Sequence, residues 1–390
     1  MVDLMESVNA PVVNHRVGVM LVGSLGMTGT AVLGGICAIK KEIVAEEYGT
    51  TSLPDFARVP LVSAKVMEVG GWDYRSSSVS QVAERYGHLP EKVAASIQDK
   101  EVMLFPGLWT PAEYPLEHGR EFVRCPSSLA EGASMVCEDI ECFRSRTGCD
   151  RIVVLFVGTP ARDTALTPEA FRLPDSGRTL TPSGIMYAVG AADAGAHFID
   201  FTPSRTLEFI DIWRHAETQG VQIAGRDGST GQTMLKATLA EMLARRGVKI
   251  DAWYSTNLIG NRDGMVLSQH EYAASKIADK TDVLRSSKAG FHRVAIEYCP
   301  PWGDAKEAWD AVECTTWLGA PLSIRIDWRG HDSQLAGAII LDLIRLIDRG
   351  ASLGYKGFQP QLGFFFKRSF LREETTISER WSELLTTYVG

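Results

Sequence analysis

The chain has 390 residues, of which 45% are hydrophobic and 23% are charged, so its composition is that of an ordinary globular protein. This length predicts two domains, or one domain with a large insertion. The formal net charge of -8 argues against a general affinity for nucleic acid or for anionic membranes, so an anionic substrate would need a local cluster of basic residues.

The first apolar run, Val17–Val22, predicts a buried parallel strand. It leads into Gly23, Gly26 and Gly29, and a helix is predicted to start near Thr28 or Thr30. A strand, a glycine turn and a helix in this order are typical of a dinucleotide site, in which the pyrophosphate lies on the helix N-terminus. Because the spacing is GxxGxxG rather than GxGxxG, a plain tight turn remains an alternative.

A second strand is predicted at 59–69 and is followed by "GGWDYRSSS". Asp73 in this segment is placed to accept hydrogen bonds from the ribose hydroxyls of a nucleotide. It lies further from the glycines than is usual, which implies an insertion around "EEYGTTSLPDF". A surface turn would explain the same aspartate without any ligand.

Two helical patterns, 81–86 and 90–98, and a proline-rich stretch separate this strand from the next predicted strand at 150–160. The end of that strand offers Gly158 and Thr159 to a ligand at the carboxyl edge of the sheet.

The middle of the chain predicts a strand at 196–204 that ends in Thr202 and Ser204, and a helix from about 206 to 219. A further strand, a polar glycine loop and an amphipathic helix follow. Helix caps could explain the threonines there, but not the whole polar loop. The polar residues at the loop and the helix start are Asp227, Thr230, Gln232 and Thr233.

The last third predicts strands at 249–257 and 321–328 and an apolar helix that begins near Asp332. Lys276 and Lys280 are four residues apart and would repel each other on one helix face. Lys306 follows "GDA", and Lys367 follows three phenylalanines. A single lysine beside aromatic residues more often reaches towards solvent than takes part in chemistry.

The seven cysteines are odd in number and contain no CxxC pair, which favours a reduced intracellular protein. The N-terminal segment does not have the pattern of a secretory signal, and the first apolar run is too short and too rich in glycine to span a bilayer. We therefore expect a cytoplasmic protein with no membrane partner.

Together these segments resemble the myo-inositol-1-phosphate synthase family over most of the chain. The family's blocks appear in order, among them "GGWD", "AGRDGSTGQT", "NLIGNRDGMVLS", "SKIADK", "GDAK" and "FFFK". The short length and the "FFFK" ending are more similar to archaeal members than to the longer eukaryotic ones.

The resemblance implies an α/β fold, in which a Rossmann-type doubly wound parallel sheet carries an inserted α+β domain for catalysis and tetramer contacts. The implied divisions are 1–204 for the first part of the NAD-binding domain, 205–325 for the insert and 326–390 for the part that completes the NAD-binding domain. The implied assembly is a homotetramer.

The resemblance also implies a redox-neutral cyclisation of a sugar phosphate with NAD as a recycled cofactor. In this family NAD+ oxidises C5 of glucose 6-phosphate, and the ketone acidifies C6. The C6 enolate attacks the C1 aldehyde, and NADH then reduces the ketone to give an inositol monophosphate. Such a reaction needs cations at a phosphate, at an enolate oxygen and at a developing alkoxide, and lysines can supply all three.

Matched residue by residue, the resemblance implies three overlapping groups. The catalytic group is Lys276, Lys280, Lys306, Lys367, Asp227 and Asp332. The cofactor-binding group is Gly23, Leu25, Gly26, Met27, Thr28, Gly29, Asp73, Gly158, Thr159, Thr202, Asp227 and Asp332. The substrate-binding group is Ser204, Gln232, Thr233, Asn257, Gly260, Asn261, Asp263, Lys276 and Lys280.

Several positions depart from the family pattern, including Thr256, Arg262 and Glu297, and "LFVGTPAR" lacks the usual "ASTE". These departures leave the substrate open, and cyclisation of fructose 6-phosphate to a five-membered cyclitol phosphate in carbocyclic nucleoside biosynthesis is the specific alternative. A simple NAD(P) dehydrogenase and a non-catalytic nucleotide-sensing module are the alternatives of other classes. The sequence does not decide whether a metal cation assists.

Overall fold

The computed structural model describes residues 13, 15–113, 122–159, 161, 181–260, 290–367 and 375–390. The strands are β1 (Val17–Val22), β2 (Met67–Asp73), β3 (Val102–Leu108), β4 (Val123–Arg124), β5 (Arg151–Phe156), β6 (His197–Asp200), β7 (Gln222–Gly225), β8 (Lys249–Ile259), β9 (Phe291–Tyr298), β10 (Ala305–Thr315), β11 (Pro321–His331) and β12 (Gly357–Phe358). The α-helices are α1 (Met27–Lys40), α2 (Val79–Tyr86), α3 (Glu91–Ser96), α4 (Leu129–Thr147), α5 (Ser183–Asp193), α6 (Ile210–Thr218), α7 (Gln232–Arg245), α8 (Asp332–Ser352) and α9 (Ile377–Tyr388).

The larger sheet has eight strands in the order β12-β7-β6-β5-β1-β2-β3-β4. Every neighbouring pair in it is parallel. The chain runs outwards from β1 through β2 and then returns to add β5 on the other side of β1. This reversal opens a crevice between the carboxyl ends of β1 and β5, where ligands bind in doubly wound folds. The α/β, Rossmann-type fold predicted from the sequence is therefore confirmed.

Helices cover both faces of this sheet because the side chains of β1 alternate between two apolar layers. Val17, Val19 and Leu21 are buried in one core with α1, α8 and α9, and Met20 and Val22 are buried in a second core with α4, α5 and α6. The whole of β1 is buried, as its continuous apolar run predicts.

Several strand predictions need correction: β6 ends at Asp200 rather than at residue 204, and β4, β9, β10 and β12 were not predicted. The second strand begins at Met67, opposite Val17, rather than at residue 59. Pro60 has no N–H to donate to a ladder, and the backbone N–H of Ala64 binds the carboxylate of Glu46 instead. The proline-rich stretch contains β3, which the sequence analysis missed because Pro106 weakens the strand pattern.

The smaller sheet has the order β11-β10-β8-β9, with β8 and β9 parallel and the other neighbours antiparallel. Helix α7 covers one face, where Leu243 packs in one cluster with Trp253 and Val312. The opposite face leaves Tyr254 and Trp309 exposed by 43% and 46%, respectively, which is unusual for large apolar side chains in neighbouring strands.

The division into domains remains a prediction. Strand β7 pairs with β6 in the larger sheet although it lies within the predicted insert of residues 205–325. The C-terminal part adds β12 to the edge of the same sheet. Among the described helices, none is both long enough and apolar enough to cross a membrane.

Candidate active site

The glycine turn after β1 is shaped for close approach of a ligand. Gly23 has a φ of +93°, and a Cβ there would lie 2.7 Å from the Cα of Gly158. A Cβ on Gly29 would collide with the carbonyl oxygen of Gly23. Helix α1 starts after Gly26 with no side-chain cap and no acidic residue in its first turn. The amides of Met27 and Thr28 thus belong to a helix N-terminus that suits an anion.

Asp73 ends β2 beside this turn, and it is only 6% exposed. Its carboxylate accepts hydrogen bonds from the backbone N–H of Leu25 at 2.8 Å and from Nε of Arg75 at 2.9 Å. The carboxylate is therefore already paired with an arginine at the position where a ribose would lie. Its contact with the ribose remains a prediction, as do the cofactor contacts of Gly158 and Thr159.

The turn after β6 is held by a buried carboxyl group. Asp200 accepts hydrogen bonds from the backbone N–H and Oγ1 of Thr202 at 2.9 and 2.7 Å. Burial raises the pKa of Asp200 to about 7. Ser204 Oγ lies 2.7 Å from Thr206 Oγ1. The hydroxyls of Thr202 and Ser204, which were predicted to contact ligands, thus form hydrogen bonds within the turn. The carbonyl of Thr202 also accepts a hydrogen bond from the backbone N–H of Asp227 at 2.9 Å.

A buried ion pair joins the loop after β7 to the C-terminal segment. Nζ of Lys367 donates to Oδ1 of Asp227 at 2.5 Å, and the two side chains are 7% and 4% exposed. The backbone N–H of Lys367 also donates to the carbonyl of Asp227 at 2.8 Å, and that of Ser229 to the carbonyl of Phe365 at 2.9 Å. The structure thus brings together two predicted catalytic residues that are far apart in the sequence.

A second ion pair contacts the same loop through Thr230. Nζ of Lys306 donates to Oδ1 of Asp332 at 3.0 Å, and Thr230 Oγ1 donates to the same oxygen at 2.7 Å. Asp332 is the first residue of α8, and Lys306 is in β10. Residues 227–230 therefore contact both ion pairs, so the two ammonium groups and the two carboxylates form one polar cluster at the carboxyl edge of the larger sheet.

The predicted substrate residues begin at the N-terminus of α7. Gln232 and Thr233 are 3% and 6% exposed, and Nε2 of Gln232 donates to Ser255 Oγ and to Oδ2 of Asp310, each at 2.9 Å. Asn257 is fully buried in β8. A Cβ on Gly260 would lie 2.5 Å from the backbone nitrogen of Gly303, so only glycine fits there. Asn261, Asp263, Lys276 and Lys280 lie outside the described residues.

The sequence analysis missed Asp310, although a signal for it exists. Residues two apart in a strand share a face, so Lys306, Ala308 and Asp310 of β10 point the same way. All three are buried, with exposures of 8%, 0% and 2%. The alternation of side chains along β10 therefore indicates that Asp310 lies on the buried side of the strand, on the same face as Lys306.

Comparisons with known proteins find relatives that align along most of this chain. The family model for myo-inositol-1-phosphate synthase matches residues 231–333, which include the start of α7, β8, β10 and Asp332. Inositol-3-phosphate synthase 1 of Bacteroides thetaiotaomicron is 27% identical over 384 residues, which cover 90% of this chain and 89% of the relative. Inositol-3-phosphate synthase 1 of Rattus norvegicus is 25% identical, with coverage of 90% and 73%.

Solved structures show the same fold. Inositol-3-phosphate synthase from Caenorhabditis elegans superposes with a TM-score of 0.81 at 20% identity, over 96% of this chain and 86% of that one. A myo-inositol-1-phosphate synthase-related protein from Thermotoga maritima superposes with a TM-score of 0.74 at 20% identity, over 96% and 99% of the two chains. The sequence blocks, the family model over residues 231–333 and the relatives that align along most of the chain all point to the myo-inositol-1-phosphate synthase family, so the resemblance predicted from the sequence is confirmed.

Proposed function

We propose that this protein is an isomerase-type cyclase that converts glucose 6-phosphate to an inositol monophosphate with NAD+ as a recycled cofactor. The observation that carries the proposal is the polar cluster around residues 227–230, where Lys367 pairs with Asp227 and Lys306 pairs with Asp332. The relatives named inositol-3-phosphate synthase, which align along most of this chain, support the same reaction.

The glycine turn supports NAD as the cofactor. Because Gly23 has no Cβ, its backbone can lie close to that of Gly158. The two segments form a backbone surface at the crevice between β1 and β5. The uncapped N-terminus of α1 would hold the pyrophosphate, and Asp73 with Arg75 would lie at the adenosine ribose. When bound, NAD+ supplies the temporary oxidation at C5 and the later reduction of the same carbon.

The lysines would supply fixed positive charge to the reacting oxygens. Lys306 and Lys367 are largely buried, so their charges act in a medium of lower dielectric constant than water. We place them at the enolate oxygen and at the C1 oxygen as it becomes an alkoxide. Lys276 and Lys280 are assigned to the same site from the sequence alone.

Asp227 and Asp332 would compensate the lysine charges before substrate binds. Each carboxylate contacts one ammonium group directly, at 2.5 and 3.0 Å. Each pair can therefore also hold and return a proton during enolisation and ring closure. The N-terminus of α7, with Gln232 and Thr233, is our candidate position for the phosphate, because helix N-termini favour anions.

We also propose that the protein is a homotetramer whose contacts include the outer face of the smaller sheet. Tyr254 and Trp309 are 43% and 46% exposed on that face, and Trp317 and Leu318 are 82% and 86% exposed in the turn between β10 and β11. Exposed apolar surface of this kind marks an interaction site. Light scattering at micromolar concentration tests the proposal, and a monomer would contradict it.

The catalytic proposal is tested by incubating the purified protein with NAD+ and either glucose 6-phosphate or fructose 6-phosphate. The products are read by NMR, and absorbance at the NADH band is followed in parallel. We expect an inositol monophosphate from glucose 6-phosphate with no net accumulation of NADH. A five-membered cyclitol phosphate from fructose 6-phosphate would select the alternative substrate. NADH formed in proportion to substrate would show a simple dehydrogenase, and no turnover with either sugar would refute the proposal.

A further inference from the structure

A fifth lysine lies directly behind the proposed phosphate position. Lys236 is one helical turn after Gln232 on the same side of α7, and it is only 1% exposed. Its Nζ has no hydrogen-bond partner among the described residues, and it lies 3.7 Å from Oδ1 of Asp310. Burying an ammonium group without a hydrogen bond costs free energy, so the buried position of Lys236 needs a physical explanation.

Asp310 connects Lys236 to the start of α7. Its two carboxylate oxygens accept hydrogen bonds from Trp253 Nε1 at 2.8 Å, Ser255 Oγ at 2.7 Å and Gln232 Nε2 at 2.9 Å. All of these donors are neutral, so the positive charge on Lys236 is what offsets the buried negative charge. Because a carboxylate only accepts hydrogen bonds, the NH₂ group of the Gln232 side chain, and not its oxygen, points towards Asp310. The Oε1 atom of Gln232 has no hydrogen-bond partner among the described residues.

Among the residues that the structure describes, two charged groups act on Lys236. The groups that act on it electrostatically are Asp310, which favours its charged form, and Lys306, which disfavours it; both are on β10. Burial is the largest effect, and it lowers the pKa of Lys236 to about 8. Asp332 pairs with Lys306 and Asp310 pairs with Lys236, and the two lysines act on each other as like charges, so the two ion pairs are electrostatically linked.

We propose that Lys236 is a positioning residue: with Asp310 it fixes Gln232 at the substrate-binding end of α7, and it couples uptake of one proton to binding of the sugar phosphate. This inference rests on the proposed function, because it assumes that the phosphate lies at the N-terminus of α7. An anion at that end of the helix favours the charged form of Lys236. A neutral Lys236 would leave the Asp310 carboxylate uncompensated beneath the phosphate and would weaken binding.

The coupling predicts how affinity changes with pH. The phosphate of the sugar is already dianionic above pH 7, so its own titration does not contribute. Lys236 is mostly charged at pH 7 and mostly neutral at pH 9 in the empty site, because its pKa lies near 8. If Lys236 stays protonated in the complex, binding at high pH must first protonate it. The affinity for glucose 6-phosphate should therefore be about tenfold weaker at pH 9 than at pH 7.

Isothermal titration calorimetry measures this directly on the wild-type protein with NAD+ present. Glucose 6-phosphate is titrated without turnover at low temperature, in two buffers of different ionisation enthalpy at pH 8.5. We expect uptake of most of one proton per bound ligand. If glucose 6-phosphate binds with no proton uptake and with equal affinity at pH 7 and pH 9, the coupling is refuted while the proposed function stands. If it binds at neither pH, both proposals fall.

Variants separate the charge of Lys236 from its packing. Lys236→Arg keeps a charge that does not titrate in this range, so affinity should stay within about twofold between pH 7 and pH 9. Lys236→Met should bind at least about tenfold more weakly at pH 7 and show no further loss at pH 9. Lys236→Met combined with Asp310→Asn removes both charges and keeps the test available if the single variant does not fold. Lys249→Met, at an exposed lysine of β8, is the control and should match the wild type. Equal pH dependence in Lys236→Arg and the wild type would overturn the assignment.

Discussion

Replacing Lys367 with methionine tests the polar cluster most directly. The change keeps much of the side-chain volume and removes the ammonium group that lies 2.5 Å from Asp227. At this distance, with an effective dielectric constant of about 20, the Coulomb attraction is about 7 kcal/mol. Desolvation of both groups offsets part of it, so we expect a loss of about 3–5 kcal/mol in the free energy of unfolding. Most of this loss comes from the Asp227 carboxylate, which is 4% exposed in the folded protein and would lose the ammonium group that pairs with it.

The double variant Lys367→Met/Asp227→Asn distinguishes an uncompensated charge from lost packing. It should recover at least half of the lost stability, because neither buried charge remains. Stability is measured by urea denaturation, and turnover by NMR with glucose 6-phosphate and NAD+. Both variants should lose about a hundredfold or more in kcat, since neither offers a cation to the developing oxyanion. Lys356→Met, at an exposed lysine of the same segment, is the matched control. Wild-type stability and full turnover in Lys367→Met would refute the reasoning.

Three further predictions concern the cofactor turn, the β6 turn and the outer sheet face. Gly23→Ala should destabilise the protein and weaken NAD+ binding at least tenfold by fluorescence titration, because its Cβ would meet Gly158, whereas Gly35→Ala in open space on α1 should not. Burial raises the pKa of Asp200 to about 7, so its contribution to stability is greatest at low pH and is lost as pH rises from about 4 to 7. Asp200→Asn should therefore flatten the fall in melting temperature between pH 5 and pH 8, and an unchanged slope would contradict the assignment. Tyr254→Arg/Trp309→Arg should give a smaller particle by light scattering with unchanged secondary structure by circular dichroism.

The sequence by itself determined the elements that depend on local pattern. The apolar run of β1, the glycine turn and the start of α1 follow from strand periodicity and from the backbone freedom of glycine at Gly23, and the structure confirms them. Helix α8 begins at Asp332, as its apolar pattern indicates. The parallel sheet also follows, because buried apolar strands that alternate with helices are the signature of the α/β class. Strand β3 was missed because a proline interrupts an otherwise readable pattern.

The tertiary structure decided which charges meet. Lys367 and Asp227 are 140 residues apart, and Thr230 and Asp332 are 102 residues apart, so no periodicity relates them. Their pairing depends on the crossing of the loop after β7 with the C-terminal segment, which is a property of strand order. Family resemblance placed these residues in one site, but it did not give their partners.

The Lys236–Asp310 pair shows most clearly what the sequence alone does not determine. In the sequence, Lys236 is one more lysine on an amphipathic helix, and such a residue is normally solvated. It is buried because α7 lies on the inner face of β8 and β10, which turns the side of the helix that carries Gln232 and Lys236 towards Asp310. Burial, desolvation and the sign of the neighbouring charges are set by packing between elements distant in the chain, so only the folded structure determines them.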